Sequence, residues 1–166
     1  MRSMKYAHLE CERRFLLASM PGGITSTAVI NDLYLDGTRL RLREVISEVP
    51  AAAGREVVRK LGQKIRLDGP TRIAHTTIYL DEAEWAVLSA LPGRRLTKRR
   101  HVVGDTGVAV DEFADGSLVA EIDGGDEPPA GVPEWLDVVR EVTDDEAFTG
   151  AGRASAAPPA TSSPQN

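Results

Sequence analysis

The chain has 166 residues, of which 42% are hydrophobic and 27% charged, and its formal net charge is −5. This length and composition predict a single domain with a hydrophobic core. Charged residues from Glu10 to Arg14 interrupt the apolar stretch near the start of the chain, which argues against a signal peptide or a membrane span. The only cysteine, Cys11, cannot form an internal disulfide, so we expect a cytoplasmic protein.

The two signs of charge are distributed unevenly along the chain. Residues 1–101 contain 18 Lys and Arg against 11 Asp and Glu, whereas residues 102–166 contain 2 against 14. The basic part suits a polyanionic ligand, and the acidic part suits metal ions or acts as a counter-charge. An ordinary charged surface would have the same composition. Only the direction of the side chains can distinguish it from a binding site.

Taken in chain order, eight segments alternate between apolar and polar residues with a period of two, as β-strands do. They are residues 5–17, 31–36, 38–48, 56–67, 72–80, 96–103, 107–113 and 117–123. Turn sequences such as Asp36-Gly37 and Asp115-Gly116 separate several of them and favour direct antiparallel pairing. The pattern predicts a mainly β protein.

Helical segments are few. Residues 81–91 predict a helix with a capping box formed by Asp81 and Glu84, and with Trp85, Leu88 and Leu91 on its apolar face. A second short helix is predicted from Thr143. We expect residues 1–150 to form the domain and the Ala-, Pro- and Ser-rich residues 151–166 to be a disordered tail.

Charged side chains share faces along several of these strands, because residues two apart on a strand point the same way. On the first strand this rule groups Glu10, Glu12 and Arg14. The groups on later strands are Arg39, Arg41 and Arg43; Lys64 and Arg66; Lys98 and Arg100; and Glu121 and Asp123. One charged face would indicate only exposure to water. Acids on the first and last strands, with cations between them, predict that both signs meet inside if the sheet closes.

An interior of this kind favours a phosphate ligand. Its like charges would repel strongly without a multivalent anion or nearby carboxylates. Guanidinium groups bind phosphate oxygens with two parallel hydrogen bonds, and lysine adds a compact charge. Carboxylates are the hard oxygen ligands that Mg²⁺ or Mn²⁺ prefers when it bridges to phosphate. The residues therefore predict a site for a metal-complexed triphosphate.

The run Glu10-x-Glu12-x-Arg14 resembles the ExExK signature of CYTH domains and triphosphate tunnel metalloenzymes. Further matches follow in the family's order: Tyr34-Leu35, Leu40-Arg41-Leu42-Arg43, Gln63-Lys64, Arg72, Lys98-Arg99-Arg100, Val110-Asp111-Glu112-Phe113, Val119-Ala120-Glu121-Ile122-Asp123, and Pro133-Glu134-Trp135 followed by Glu141-Val142-Thr143. Each piece is short, but their ordered occurrence over about 140 residues is specific. Within the family, the sequence resembles the short bacterial inorganic triphosphatases.

The resemblance implies an eight-stranded antiparallel β-barrel, open at its ends and flanked by a few helices, that hydrolyses inorganic triphosphate with Mg²⁺ or Mn²⁺. It implies catalytic roles for Glu10, Glu12, Arg14 and Arg100, and metal binding by Glu10, Glu12, Glu121 and Asp123. The implied substrate-binding residues are Arg41, Arg43, Lys64, Arg72, Lys98, Arg100 and Asp111. Asp111 fits equally well as a counter-ion for Arg100. We expect a monomer or homodimer with a small-molecule substrate and no nucleic-acid or membrane partner.

Four positions depart from the family's pattern. Arg14 replaces the usual lysine, and a planar guanidinium does not mimic a compact ammonium. Ala74 and Thr76 stand where related enzymes often have carboxylates. Asp123 replaces glutamate, which keeps the charge but shortens the reach. We interpret the nearby His75 as an outward surface residue and His101 as structural.

Two other functions remain open from the sequence. The first is a class IV-type adenylate cyclase or a nucleoside or thiamine triphosphatase that uses the same tunnel. The second is a non-catalytic module that binds polyphosphate or nucleotide, which the substitutions at Arg14, Ala74 and Thr76 favour.

Overall fold

Strands make up most of the computed structural model, which describes residues 5–48, 54–69 and 71–156. The strands are β1 (His8–Leu17), β2 (Ile24–Leu35), β3 (Leu40–Glu48), β4 (Arg55–Arg66), β5 (Arg72–Tyr79), β6 (Gly93–Val103), β7 (Val108–Phe113), β8 (Leu118–Asp123), β9 (Val138–Glu141) and β10 (Ser155–Ala156). Helix α1 spans Glu82–Leu88 and α2 spans Gly150–Arg153, with a single 3-10 turn at Glu146–Phe148. Neither helix in the described ranges is long and apolar enough to cross a membrane.

Eight of the strands close into an antiparallel barrel. Their order is β6, β2, β3, β4, β5, β1, β8 and β7, and β7 pairs again with β6. Two short strands extend the sheet, because β9 pairs with β1 and β10 pairs with β6. The structure thus confirms the predicted eight-stranded, mainly β fold with few helices.

The strand register brings the charged positions to one face of the sheet. Directly opposed residues of an antiparallel pair point to the same side. Arg14 lies opposite Glu121, and Arg100 lies opposite Asp111. Closure of the barrel turns this shared face inward, which is why acids and bases from distant parts of the chain meet.

Two apolar clusters cover the outer face of the barrel. One contains Phe15, Val110 and Ile122 and is covered by Leu136 from the segment after β8. The other contains Leu33 and Leu42, with Trp85 and Leu88 of α1 packed against it. Apolar residues alternate with charged ones along these strands, so burial of their outer face places the charged face in the interior.

A third apolar cluster lies inside one end of the barrel. Phe113 and Val119, which share the inward face with Asp111 and Glu121, pack there with Val142. Phe148 and two partly buried leucines complete the cluster. The resemblance implies an open end here, but apolar side chains from the C-terminal part of the chain fill part of it.

The helix and strand predictions need several corrections. Helix α1 has the predicted capping box, although Leu91 lies beyond it and is 44% exposed. Strand β2 begins at Ile24, earlier than predicted, and β9 and β10 were not predicted. The predicted helix from Thr143 is wrong: the 3-10 turn is capped by Asp145.

The predicted tail also needs a correction at its start. Its first residues belong to helix α2 and strand β10, which begin at Gly150 and Ser155. Strand β10 pairs with β6, and Ala154 is buried. Residues 157–166, the rest of the predicted tail, lie outside the described residues.

Candidate functional site

A cavity of about 520 Å³ lies in the barrel and reaches the turn between β2 and β3. This volume is in the usual range for a site that binds a small molecule. Cations and carboxylates line it together: Glu12, Arg14, Arg39, Arg41, Arg43, Lys64, Arg66, Arg94, Lys98, Arg100, Glu121 and Glu146. The cavity therefore has the size of a small-molecule site and is lined by both signs of charge.

Arg100 is the centre of the largest ionic cluster. Its Nε donates to Asp111 Oδ1 at 2.7 Å, and its Nη2 donates to Asp111 Oδ2 at 2.8 Å and to Glu121 Oε2 at 2.5 Å. Lys98 Nζ also donates to Asp111, whose side chain is almost completely buried. Asp111 thus holds two cations of the cavity wall in place, as the counter-ion interpretation predicts.

Burial and charge shift the pKa values in this cluster in opposite directions. Burial alone would raise the pKa of Glu121, but Arg100, Lys98 and Lys64 outweigh it and lower that pKa strongly. Burial and the Arg100 guanidinium lower the pKa of Lys98, against the effect of Asp111. Glu121 is therefore ionised at neutral pH.

Lys64 joins the two carboxylates of β1. Its Nζ lies 2.9 Å from Glu10 Oε2 and 3.2 Å from Glu12 Oε2. The other oxygen of Glu10 lies 2.5 Å from His75 Nδ1. The acids expected to bind metal therefore already have cationic or hydrogen-bonding partners within the protein.

A third ionic group lies on β2 and β3. Arg43 donates from Nε and Nη2 to the two oxygens of Asp32, each at 2.7 Å. Arg41 Nε is buried and lies 3.8 Å from Asp32 Oδ1, which is beyond hydrogen-bond reach. Lys60, opposite Arg43, has its pKa lowered by burial and by the guanidinium groups of Arg43 and Arg41. This side of the interior carries more positive than negative charge.

Most of the predicted site residues come together, but three are placed differently. Arg72 is exposed on β5 and is not part of the cavity lining, because Ile73 takes the inward position. Asp123 is exposed at the end of β8 and accepts a hydrogen bond from Gly125 N. Arg14 lines the cavity, yet its guanidinium donates to the backbone oxygens of Thr143 and Phe148 at 2.6 and 3.1 Å. The predicted inward direction of Arg72 is wrong.

The two histidines also test the predicted side-chain directions. The outward interpretation of His75 is wrong: its side chain is 13% exposed and contacts Glu10 and Thr77. The placement of His101 away from the charged interior is confirmed, since it contacts Thr27 and Glu112. The two errors are separate in origin: Arg72 was placed by the resemblance, and His75 by the usual exposure of a lone histidine on a strand.

Asp32, Lys60, Tyr34, Arg94 and Glu146 are site residues that the sequence interpretation missed. Lys60 has the same strand parity as Lys64, so the alternation rule already pointed to it. Asp32 lies within the predicted strand 31–36 and shares its parity with Tyr34, so the same rule applied to it as well. Arg94 shares the parity of Lys98 and Arg100, but the predicted strand began only at residue 96, whereas β6 begins at Gly93. Glu146 becomes part of the site through tertiary contacts.

Three carboxylates have a donor chemistry that fits a divalent metal. No three His, Cys, Asp or Glu side chains form a ready-made metal site within the described ranges. Glu12 and Glu121 do line the cavity, however, and Glu10 shares Lys64 with Glu12. Mg²⁺ is often held by one or two carboxylates together with phosphate oxygens. Glu10, Glu12 and Glu121 therefore fit a metal that arrives with phosphate, whereas the exposed Asp123 lies apart.

The lowered pKa of Glu10 leads us to expect a loss of stability at acidic pH. Burial would raise its pKa, but the hydrogen bond from His75 and the charge of Lys64 lower the pKa from 4.5 to about 2. A carboxylate with a lowered folded-state pKa stabilises the protein fully above its unfolded pKa and loses that contribution as the pH falls towards the folded value. Urea unfolding between pH 5 and 2 should therefore show a smaller decrease in stability for Glu10→Gln than for the wild type. Equal decreases would contradict the assignment.

The fold and the cavity together define a closed eight-stranded antiparallel barrel whose interior combines cations and carboxylates. Two solved structures share this fold, one described as the inorganic triphosphatase NE1496 and one as the hypothetical protein NE1496. Each is 20% identical, has a TM-score of 0.51 and covers 90% of this chain; the match covers 96% and 99% of the other chain, respectively. No family model and no curated protein matches the sequence. The resemblance to triphosphatases is thus supported at the level of the fold.

Proposed function

We propose that this protein is a metal-dependent triphosphatase that hydrolyses inorganic triphosphate inside the barrel. The observation that carries the proposal is the presence of Arg41, Lys98 and Arg100 in one cavity with the carboxylates of Glu12 and Glu121. A triphosphate needs both groups, because cations bind its oxygens and carboxylates bind its metal. The fold shared with an inorganic triphosphatase supports this substrate class. A cytosolic location stays a prediction from the single cysteine.

In the proposed reaction, water attacks the terminal phosphorus, the bridging P–O bond breaks, and phosphate and pyrophosphate leave. Arg41 and Arg100 hold the phosphate oxygens and stabilise the charge on them in the transition state. Glu10, Glu12 and Glu121 would hold Mg²⁺ or Mn²⁺. When bound, the metal withdraws charge from the phosphate oxygens. Lys64, whose Nζ is paired with Glu10 and Glu12, would bind a phosphate oxygen once those carboxylates hold the metal.

A non-catalytic module that binds polyphosphate is the second candidate. The observation that favours it is the guanidinium of Arg14, which bonds backbone carbonyls and so has fewer donors for a substrate. Such a module would bind tripolyphosphate through Arg41 and Arg100 without turning it over. An adenylate cyclase or an organic triphosphatase would use the same cations but would need space for the organic group.

A product screen separates these functions. Tripolyphosphate, ATP and thiamine triphosphate are each incubated with the protein and Mg²⁺ or Mn²⁺, and the products are separated by anion-exchange chromatography. Phosphate and pyrophosphate from tripolyphosphate support the proposal. Cyclic AMP with pyrophosphate from ATP would identify a cyclase. Tight tripolyphosphate binding without any product would select the binding module.

Arg41→Ala is expected to weaken tripolyphosphate binding by about 10- to 100-fold, as the loss of a charge-assisted hydrogen bond does. Arg41 is the informative choice because no carboxylate lies within hydrogen-bond distance of its Nε. Isothermal titration calorimetry measures the dissociation constant. Arg59→Ala is the matched control, since Arg59 bonds Glu44 on the outer face. Equal affinities for the wild type and Arg41→Ala would remove Arg41 from the site.

A further inference from the structure

The C-terminal strap, defined here as residues 142–156, crosses the barrel end at which the cavity opens. Val142 and Phe148 enter that end and pack on the inward side chains of Phe113 and Val119. Glu146, Thr149, Gly150 and Ala151 form part of the cavity wall. The exposed turn between β2 and β3 lines the same cavity. The turn and the strap therefore both border the cavity, and we infer that its opening lies between them.

Arg14 fastens the strap from inside the barrel. Its guanidinium donates to Thr143 O at 2.6 Å and to Phe148 O at 3.1 Å. Its backbone is bound as well, since Arg14 N donates to Thr143 Oγ1 and Arg14 O accepts from Val142 N. Only 7% of the residue is exposed. Hydrogen bonds from a charged donor are about twice as strong as neutral ones, so this anchor resists opening.

The opposite side of the strap is fixed to the rim of the barrel. Arg94 donates to Ala151 O at 2.8 Å, and Arg66 lies 3.4 Å from Glu146. Gly150 packs so closely on Tyr34 that an added Cβ would lie 2.0 Å from the Tyr34 hydroxyl oxygen. Both edges of the strap are therefore held, and the space beside Gly150 is filled.

We propose that Arg14 is a positioning residue that holds the strap across the opening, and that the strap selects an unsubstituted phosphate chain over a triphosphate with a bulky organic group. This inference rests on the proposed function. A slender phosphate chain passes between the strap and the turn, where Arg39, Arg66 and Arg94 line the way. A nucleoside attached to the chain needs space that the strap occupies, so it binds only at the cost of displacing the strap.

The test compares the wild type with Arg14→Met, which keeps the length of the side chain but removes its donors. Hydrogen–deuterium exchange reports on the strap amides that bond within it, such as those of Thr149 and Arg153. Calorimetry gives the affinities for tripolyphosphate and for ATP, each with Mg²⁺. We expect faster exchange in the strap and a preference for tripolyphosphate that falls about tenfold or more. Unchanged exchange, or an unchanged preference with faster exchange, would overturn the proposal.

Gly150→Ala gives a second test that leaves Arg14 intact. The new methyl group collides with the Tyr34 hydroxyl, so the strap should move and the preference should fall as in Arg14→Met. The double variant Gly150→Ala/Tyr34→Phe removes the colliding oxygen, so its preference should match that of Tyr34→Phe alone, which accounts for the loss of the hydroxyl from the cavity. Arg59→Met, on the outer face, is the control for loss of a guanidinium. If Gly150→Ala keeps the wild-type preference, the strap does not select the ligand. If the wild type binds no tripolyphosphate, the proposed function itself fails, before any variant is compared.

Discussion

Asp111→Ala is expected to lower the free energy of unfolding by about 3–5 kcal/mol, as the removal of one partner from a buried ion pair does. Asp111 is 1% exposed. Its Oδ1 accepts a hydrogen bond from Arg100, and its Oδ2 accepts hydrogen bonds from both Arg100 and Lys98. Without this carboxylate, Glu121 alone faces the buried Lys98 and the partly buried Arg100. Repulsion between the cations and the loss of their hydration both favour unfolding. Urea unfolding at pH 7, followed by circular dichroism, measures the change.

Glu112→Ala is the matched control for this prediction. Glu112 is the next residue on β7, points outward, has a side chain that is 41% exposed and lies 3.1 Å from His101 Nε2. An exposed ion pair contributes at most about 1 kcal/mol, so this variant should unfold close to the wild type. Similar losses of unfolding free energy in the two variants would show that Asp111 is not needed to compensate the charges of Lys98 and Arg100.

Glu12→Gln should lower kcat for tripolyphosphate hydrolysis by about 10²- to 10³-fold, the effect of removing one group that organises charge in a transition state. The amide keeps the size of the side chain but loses the negative charge that a metal ligand needs. Glu12 lines the cavity and lies 3.2 Å from Lys64. Because the exchange preserves shape, the fold should survive. Steady-state phosphate release with saturating Mg²⁺ measures kcat.

Glu44→Gln removes the same charge from an outward position on β3, where Glu44 bonds Arg59. Its kcat should match that of the wild type. The metal concentration that gives half-maximal rate adds a second readout, since Glu12→Gln should raise it. A wild-type kcat and metal dependence in Glu12→Gln would reject Glu12 as a metal ligand.

The sequence predicted the fold well because the alternation of side chains is a local property. Arg41 and Arg43 on one face, with Leu40 and Leu42 on the other, already identify an inward and an outward side. The same rule placed Glu12 and Glu121 on the inward face. Closure of the sheet follows from the register of all eight strands, which the resemblance to a known family implied.

The errors concern residues whose direction depends on the strand register, or whose partners depend on tertiary contacts. Arg72 was placed inside by the resemblance and His75 outside by the usual exposure of a lone histidine, and the register of β5 with β1 places both on the opposite side. Arg14 has the inward direction that the strand pattern predicts. Its bonds to Thr143 and Phe148 depend on a segment almost 130 residues away. No local pattern contains that information.

The pairing of Asp32 with Arg43, and of Asp111 with Lys98 and Arg100, has a consequence for ligand entry. These cations have internal counter-ions before any phosphate arrives, so the barrel can fold without its ligand. A phosphate that enters must compete with carboxylates already in place, and binding becomes an exchange of ionic partners. The affinity for phosphate then depends on how much more strongly these cations bind the phosphate with its metal than they bind Asp32 and Asp111.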